Sequence, residues 1–102
     1  MVKLLKIGIV GCGAIGSSLA KAIVSEFPKK AKLVSVYDID IEKAYKLANK
    51  LNDQKLKTLN LDTLINKVGL VIEASKADSA FEIAKKSILA SRDIMIMSAG
   101  GI

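Results

Sequence analysis

The chain has 102 residues, a formal charge of +6 from 16 basic and 10 acidic side chains, one cysteine and no histidine. That length makes one domain, residues 1–102, with enough chain to bury a core, and the lone cysteine excludes an internal disulfide and points to a reducing, cytoplasmic setting. Apolar residues make up 51% of the chain but aromatics only 4%, so Ile, Leu, Val and Ala must build the interior, as in a parallel sheet covered by helices on both faces.

Strand and helix patterns alternate along the chain. Leu4–Val10 reads as a first strand rather than a signal peptide, because it runs straight into the glycine turn Gly11-Cys12-Gly13-Ala14-Ile15-Gly16. Ala14–Phe27 follows as an amphipathic helix with Ile15, Leu19, Ile23 and Phe27 on one face, stopped by Pro28. Lys32–Tyr37 is a second strand ending at Asp38. Asp40 then caps a helix over Ile41–Leu51 that turns Ile41, Ala44, Ala48 and Leu51 inward. Lys55–Thr58 gives a weak third strand, and Asp62–Ile65 a short helical turn. Leu70–Ala74 is a strongly apolar fourth strand. Asp78–Ala90 is a helix with Phe81, Ala84 and Ile88 inward and Leu89 beside them, and Asp93–Met97 is a fifth strand running into Ser98-Ala99-Gly100-Gly101-Ile102. No apolar stretch approaches the roughly 18 residues of a membrane span.

The alternation predicts an α/β fold, a doubly wound parallel sheet of about five strands in the order 3-2-1-4-5 with right-handed crossovers. Ligands of such sheets bind beyond the strands' carboxyl ends, where the order reverses between strands 1 and 4. Ala74-Ser75-Lys76 is therefore expected to face Gly11–Ala14 across that crevice, with Ser98-Ala99-Gly100 beside it. Ser75 and Ser98 could donate or accept hydrogen bonds there, or serve as loop and cap residues. Glu73, at the end of an apolar strand, must either be paired, for instance with Lys76, or line the cleft.

Strand, glycine turn, helix, strand and an acid about 20 residues after the last glycine form a dinucleotide-binding fingerprint. Gly11 permits a sharp turn, Gly13 lets a pyrophosphate approach the backbone, and Gly16 lets the helix lie close to the sheet. The first helical turn offers unpaired N–H groups and a positive dipole end to the diphosphate. Asp38 would accept hydrogen bonds from both adenosine ribose hydroxyls and repel a 2′-phosphate, which favours NAD over NADP; Lys43 lies close enough to temper that preference. The same turn also serves flavin and S-adenosylmethionine domains, and a purely structural turn is the remaining alternative. Cys12, without a neighbouring histidine or second cysteine, fills space rather than reacting. The lysines are spread over exposed helix faces with no arginine cluster or interleaved aromatics, so the basic charge reads as solvated surface and not as a nucleic-acid interface.

The segments Lys6–Gly16, Val36-Tyr37-Asp38, Val71-Ile72-Glu73-Ala74-Ser75 and Asp93–Gly100 together resemble the N-terminal Rossmann domain of L-aspartate dehydrogenases across essentially the whole chain. The glycine turn is shared by many dehydrogenases; the Val-Ile-Glu-Ala segment and the Met-rich strand entering Ser-Ala-Gly are more specific. The resemblance implies NAD(P) binding through Gly11, Gly13, Ala14, Ile15, Asp38, Ala74 and the Ser98–Gly100 loop, with Cys12, Gly16 and Ser75 completing the cofactor site. It also implies a following domain that binds aspartate and supplies a catalytic histidine for oxidative deamination. This chain departs by having Ala74-Ser75-Lys76 where Ala-Ala-Ser is common, and Ile39 where an arginine often follows the ribose acid. It contains neither the second domain nor a histidine, so no catalytic residue is assigned and inactivity in isolation is expected. A free-standing NAD(H)-sensing module and a degenerate remnant are the competing readings. The fifth strand's apolar edge predicts self-association.

Overall fold

The computed structural model describes residues 3–51, 56–58 and 60–98. Its elements run β1 (Leu5–Val10), α1 (Ala14–Glu26), β2 (Ala31–Tyr37), α2 (Ile41–Leu51), β3 (Lys57–Thr58), α3 (Leu61–Lys67), β4 (Leu70–Glu73), α4 (Ala77–Leu89) and β5 (Asp93–Ile96). The strands form one parallel sheet in the order β3-β2-β1-β4-β5, as the alternation predicts, with β3 contributing only two residues. Of the expected third strand, Lys55 lies outside the described residues.

Two apolar layers sandwich the sheet. On one face Ile7, Ile9, Leu33, Val36 and Ile72 of the strands meet Ala20 and Ile23 of α1 and Ala44 and Leu47 of α2. On the other, Val10 and Val71 meet Leu64 and Ile65 of α3, Val68 just beyond it and Ile83 of α4. Branched aliphatic side chains pack densely on a twisted parallel sheet, and burial on both faces explains why β1 and β4 read as continuous apolar runs. Gly8 on β1 admits α3 closely, since a Cβ there would lie 2.6 Å from the Leu64 side chain. The expected turn at Asp62–Ile65 is a full seven-residue helix, capped by the Asn60 side chain, which accepts from the Thr63 N–H at 2.8 Å. Its other end is closed by Arg92, whose guanidinium donates to the carbonyls of Ile65 and Asn66 at 3.0 and 2.9 Å.

Several residues expected inward are exposed. Ile15, Phe27 and Ile41 sit at helix ends that overhang the sheet. On α4 the correction is larger: Ile83 and Ser87 face the sheet, whereas Phe81 is 76% and Ile88 64% exposed, and Leu89 is exposed as well. Buried Ser87 satisfies its hydroxyl on the Ile83 carbonyl at 2.8 Å, which lets a polar residue occupy the inward face. No helix among the described residues is long and apolar enough to cross a membrane.

Leu64, fully buried over Gly8, is the keystone of the α3–α4 layer. Leu64→Ala is expected to destabilise the fold by about 2–5 kcal/mol, read as a lowered urea midpoint; a change below about 0.5 kcal/mol would show that this layer contributes little.

Candidate functional site

The carboxyl ends of β1, β2, β4 and β5 converge where the strand order reverses. Gly11 leaves β1 with φ of +104°, a conformation open mainly to glycine, and its N–H donates to the Tyr37 carbonyl at 2.7 Å. Its α-carbon also lies against the next strand tip: a Cβ would come within 2.5–2.6 Å of Ala74 and Ser75 backbone atoms. The expected juxtaposition of Gly11 with Ala74-Ser75 is therefore present. Gly16 is equally constrained, because a Cβ there would sit 1.8 Å from the Gly11 carbonyl oxygen. Gly13 differs: nothing lies within 4 Å of where its Cβ would be. It is the N-cap of α1, a helix start with no side-chain cap and no acidic residue in its first turn. Exposed Ala14 and Ile15 follow it. An open space in front of uncapped helical N–H groups suits an anion.

Asp38 binds the tip of β2 to this turn. One carboxylate oxygen accepts from the Cys12 N–H and the other from the Asp40 N–H, both at 2.8 Å. A carboxylate can accept about four hydrogen bonds, so each oxygen keeps a lone pair for further donors. Asp40 in turn starts α2, its side chain accepting from the Glu42 N–H at 3.2 Å. Cys12 is buried with its thiol 3.5 Å from the Tyr37 carbonyl; burial first, and the Asp38 charge second, push that thiol up to about 12.

Glu73 is fully buried and is not paired with Lys76. One oxygen accepts from the N–H of Ser75 at 2.8 Å and from its hydroxyl; the other accepts from the Ser98 hydroxyl at 2.7 Å and, at 3.4 Å, from its N–H. Ser75 and Ser98 are thus brought together through a carboxylate beneath the crevice. Ala99 and Gly100 lie outside the described residues.

Two cavities lie at this end of the sheet, the larger beside the turn and the smaller beside Asp38. One of about 220 Å³ is lined by Tyr37, Asp38, Ile39, Ile41 and Asn60 among others. A larger one of about 520 Å³ runs between α1 and α2 past Cys12, Gly13 and Ser17 to Lys43, Lys46 and Lys50. Asn60, Lys46 and Lys50 were not assigned to the site by sequence; the (i, i+3, i+7) spacing of the three lysines, which sets them on one helix face, was the available signal.

Residues 11–102 match the family described as "Homoserine dehydrogenase, NAD binding domain". The chain is 37% identical over 99 residues to L-aspartate dehydrogenase of Methanocaldococcus jannaschii, covering 97% of this chain and 37% of that protein. It is 39% identical over 98 residues to L-aspartate dehydrogenase of Methanococcus maripaludis, covering 95% and 36%. The chain thus spans little more than a third of these curated relatives. Among solved structures it is similar to scyllo-inositol dehydrogenase of Lactobacillus casei, with a TM-score of 0.80, 20% identity, and coverage of 94% of this chain and 29% of that one. It is also similar to GenD2 of gentamicin A biosynthesis, solved in complex with NAD, with a TM-score of 0.78, 26% identity, and coverage of 94% and 27%.

The glycines differ in what they tolerate. Gly13→Ala should leave the melting temperature within about 2 °C of the parent, whereas Gly16→Ala should destabilise by about 1–3 kcal/mol or more, since overpacking there meets backbone; equal effects would remove the distinction. Cys12, held neutral, should react with a thiol reagent at pH 8 far more slowly in the folded than in the denatured chain. Because its folded value lies above its unfolded one, this group's contribution to stability is complete below about pH 9 and lost as pH rises toward 12. Rapid labelling of the folded chain would contradict that.

Proposed function

This chain belongs to the NAD-binding domain family of homoserine dehydrogenases, and we propose that it holds NAD(H) as the cofactor-binding part of an aspartate-dehydrogenase-like oxidoreductase. The observation that carries this reading is the open space at Gly13 before an uncapped helix start, beside a carboxylate with acceptor capacity to spare. A pyrophosphate fits that space, where any Cβ would intrude on the ligand rather than on the protein. In this reading Gly13, Ala14 and Ile15 hold the diphosphate, and Gly11, Cys12 and Gly16 shape the turn. Asp38 takes the ribose hydroxyls and disfavours a 2′-phosphate by like charge, so NAD is preferred to NADP. Ala74, Ser75 and Ser98 border the nicotinamide side.

When bound, the nicotinamide ring supplies hydride transfer; the residues here bind and orient it. Oxidation of an amine also needs a base and groups to hold the substrate. The chain has no histidine. The carboxylates of Asp38 and Glu73, at the crevice, already accept backbone N–H groups of this fold. Aspartate as substrate follows from the relatives at 37–39% identity, and its handling belongs to the length of those proteins that this chain does not span. We therefore propose a cytoplasmic cofactor domain that is inactive without a substrate domain.

Calorimetric titration of the chain with NADH and, separately, NADPH tests the reading. NADH should bind, NADPH more weakly, and aspartate-dependent reduction of NAD should appear only on addition of a substrate domain. Gly13→Val should abolish binding while the circular dichroism spectrum is retained, and Asp38→Ala should narrow the NADH preference by roughly tenfold, the worth of one charge-assisted contact. Unchanged NADH affinity in Gly13→Val would sink the pyrophosphate assignment.

A further inference from the structure

Glu73 is 0% exposed, yet the hydrogen-bond partners of its side chain are all neutral. They are the N–H and hydroxyl of Ser75 and the N–H and hydroxyl of Ser98. Donors of that kind satisfy a carboxylate without cancelling its charge. Lys76, the nearest cation in sequence, is exposed. Among the described residues the one ion pair joins Lys86 to Asp62, so no described cation pairs with Glu73. The charge also stands at a fixed point. Glu73 lies between Val10 of β1 and Ile96 of β5 in the ladder. The Ala74 N–H donates to the Val10 carbonyl at 2.8 Å, and the Met97 N–H to the Glu73 carbonyl at 2.7 Å. This point is the carboxyl end of β4, in the second half of the sheet. Each half of a doubly wound sheet takes one mononucleotide of a dinucleotide, and Asp38 marks the adenosine half.

Resting on the reading that the chain holds NAD(H), we propose that the Glu73 carboxylate biases the site toward the oxidised cofactor. The two forms differ by one charge on the ring: the oxidised nicotinamide is a cation and the dihydronicotinamide is neutral. Adenosine, both riboses and the diphosphate are common to both, so contacts at Gly13 and Asp38 do not tell them apart. A negative charge on the nicotinamide side attracts the oxidised ring alone. Burial gives that charge its reach. The half-buried carboxylate of Asp38 is screened by water, whereas the field of Glu73 passes through protein. Two opposite unit charges about 10 Å apart, at an effective dielectric of about 20, shift an equilibrium by roughly tenfold. Ser75 and Ser98 keep the carboxylate in place, and Glu73 sets which form of the cofactor is held more firmly. NAD+ is retained and NADH is released more readily.

Titration of the chain and of Glu73→Gln with NAD+, NADH and ADP-ribose, which lacks the nicotinamide, tests this. Glu73→Gln should raise the ratio of the NAD+ Kd to the NADH Kd by roughly tenfold. Its ADP-ribose affinity should stay within about twofold of the parent's, because the charge acts on the ring alone. Glutamine sets an amide NH2 among donors, so a second variant removes the charge together with the hydroxyls that serve it. Glu73→Leu combined with Ser75→Ala and Ser98→Ala should move the ratio in the same direction. Ser75→Ala alone keeps the charge and should leave the ratio where it is. An unchanged ratio in both charge-removing variants, with ADP-ribose still bound, would overturn the inference and leave the cofactor reading standing. A shift in Ser75→Ala as large as that in Glu73→Gln would overturn it too, by tracing the effect to shape rather than charge. A parent chain that binds none of the three ligands would overturn both.

Discussion

A carboxylate sealed from water must find its hydrogen bonds inside the protein, and Glu73 finds its partners at the tips of two strands. An unpartnered charge in that position would cost several kcal/mol, so the positions of Ser75 and Ser98 are as constrained as the acid itself. The Met97 N–H on the Glu73 carbonyl, at 2.7 Å, adds a backbone tie at the same point. The crevice wall formed by β4 and β5 is thereby fixed relative to the sheet rather than left as two loops. Asp38 does the same for the opposite wall through the Cys12 N–H. Two acids, one buried and one partly exposed, thus tie the strand tips on either side of the glycine turn.

Much of that arrangement was legible in sequence because its determinants are local. Gly11, Gly13 and Gly16 stand within six residues, and each answers a separate steric demand: a left-handed φ, an open approach and a close backbone contact. The strand order follows from alternating periods and right-handed crossovers, which admit few other topologies. Glu73 was recognisable as a problem but not as a solution. An acid at the end of an apolar run must be satisfied, yet Ser98 lies 25 residues away, and no periodicity connects the two. Lys76, the nearer cation, was the more obvious partner by sequence and is not the one used.

Helix α4 marks the limit of periodicity as a guide. An apolar stripe shows that a helix has a face to cover but not what covers it. Phe81, Ala84 and Ile88 form the stronger stripe, and Ile83 with Ser87 the weaker, so composition favours the wrong one. The sheet is contacted by the weaker stripe, whose Ser87 can return its hydroxyl to the Ile83 carbonyl, while Lys86 on the adjoining flank pairs with Asp62 at the surface. The larger stripe is left exposed.

Cofactor and substrate call for different kinds of recognition. Gripping a diphosphate depends on backbone: N–H groups at a helix start, a dipole, and the absence of side chains at chosen α-carbons. Such a grip can be written in one short stretch and completed by a single acid on the neighbouring strand. Discriminating a substrate depends instead on side chains placed across from the cofactor and matched to that substrate's own groups. At the strand tips of this sheet Glu73 is spent on Ser75 and Ser98, whereas Asp38 holds the Cys12 and Asp40 N–H groups and keeps acceptor capacity for a ligand. A sheet whose crevice offers mainly backbone groups presents little side-chain chemistry there, and the L-aspartate dehydrogenases this chain is similar to extend well beyond the length it spans.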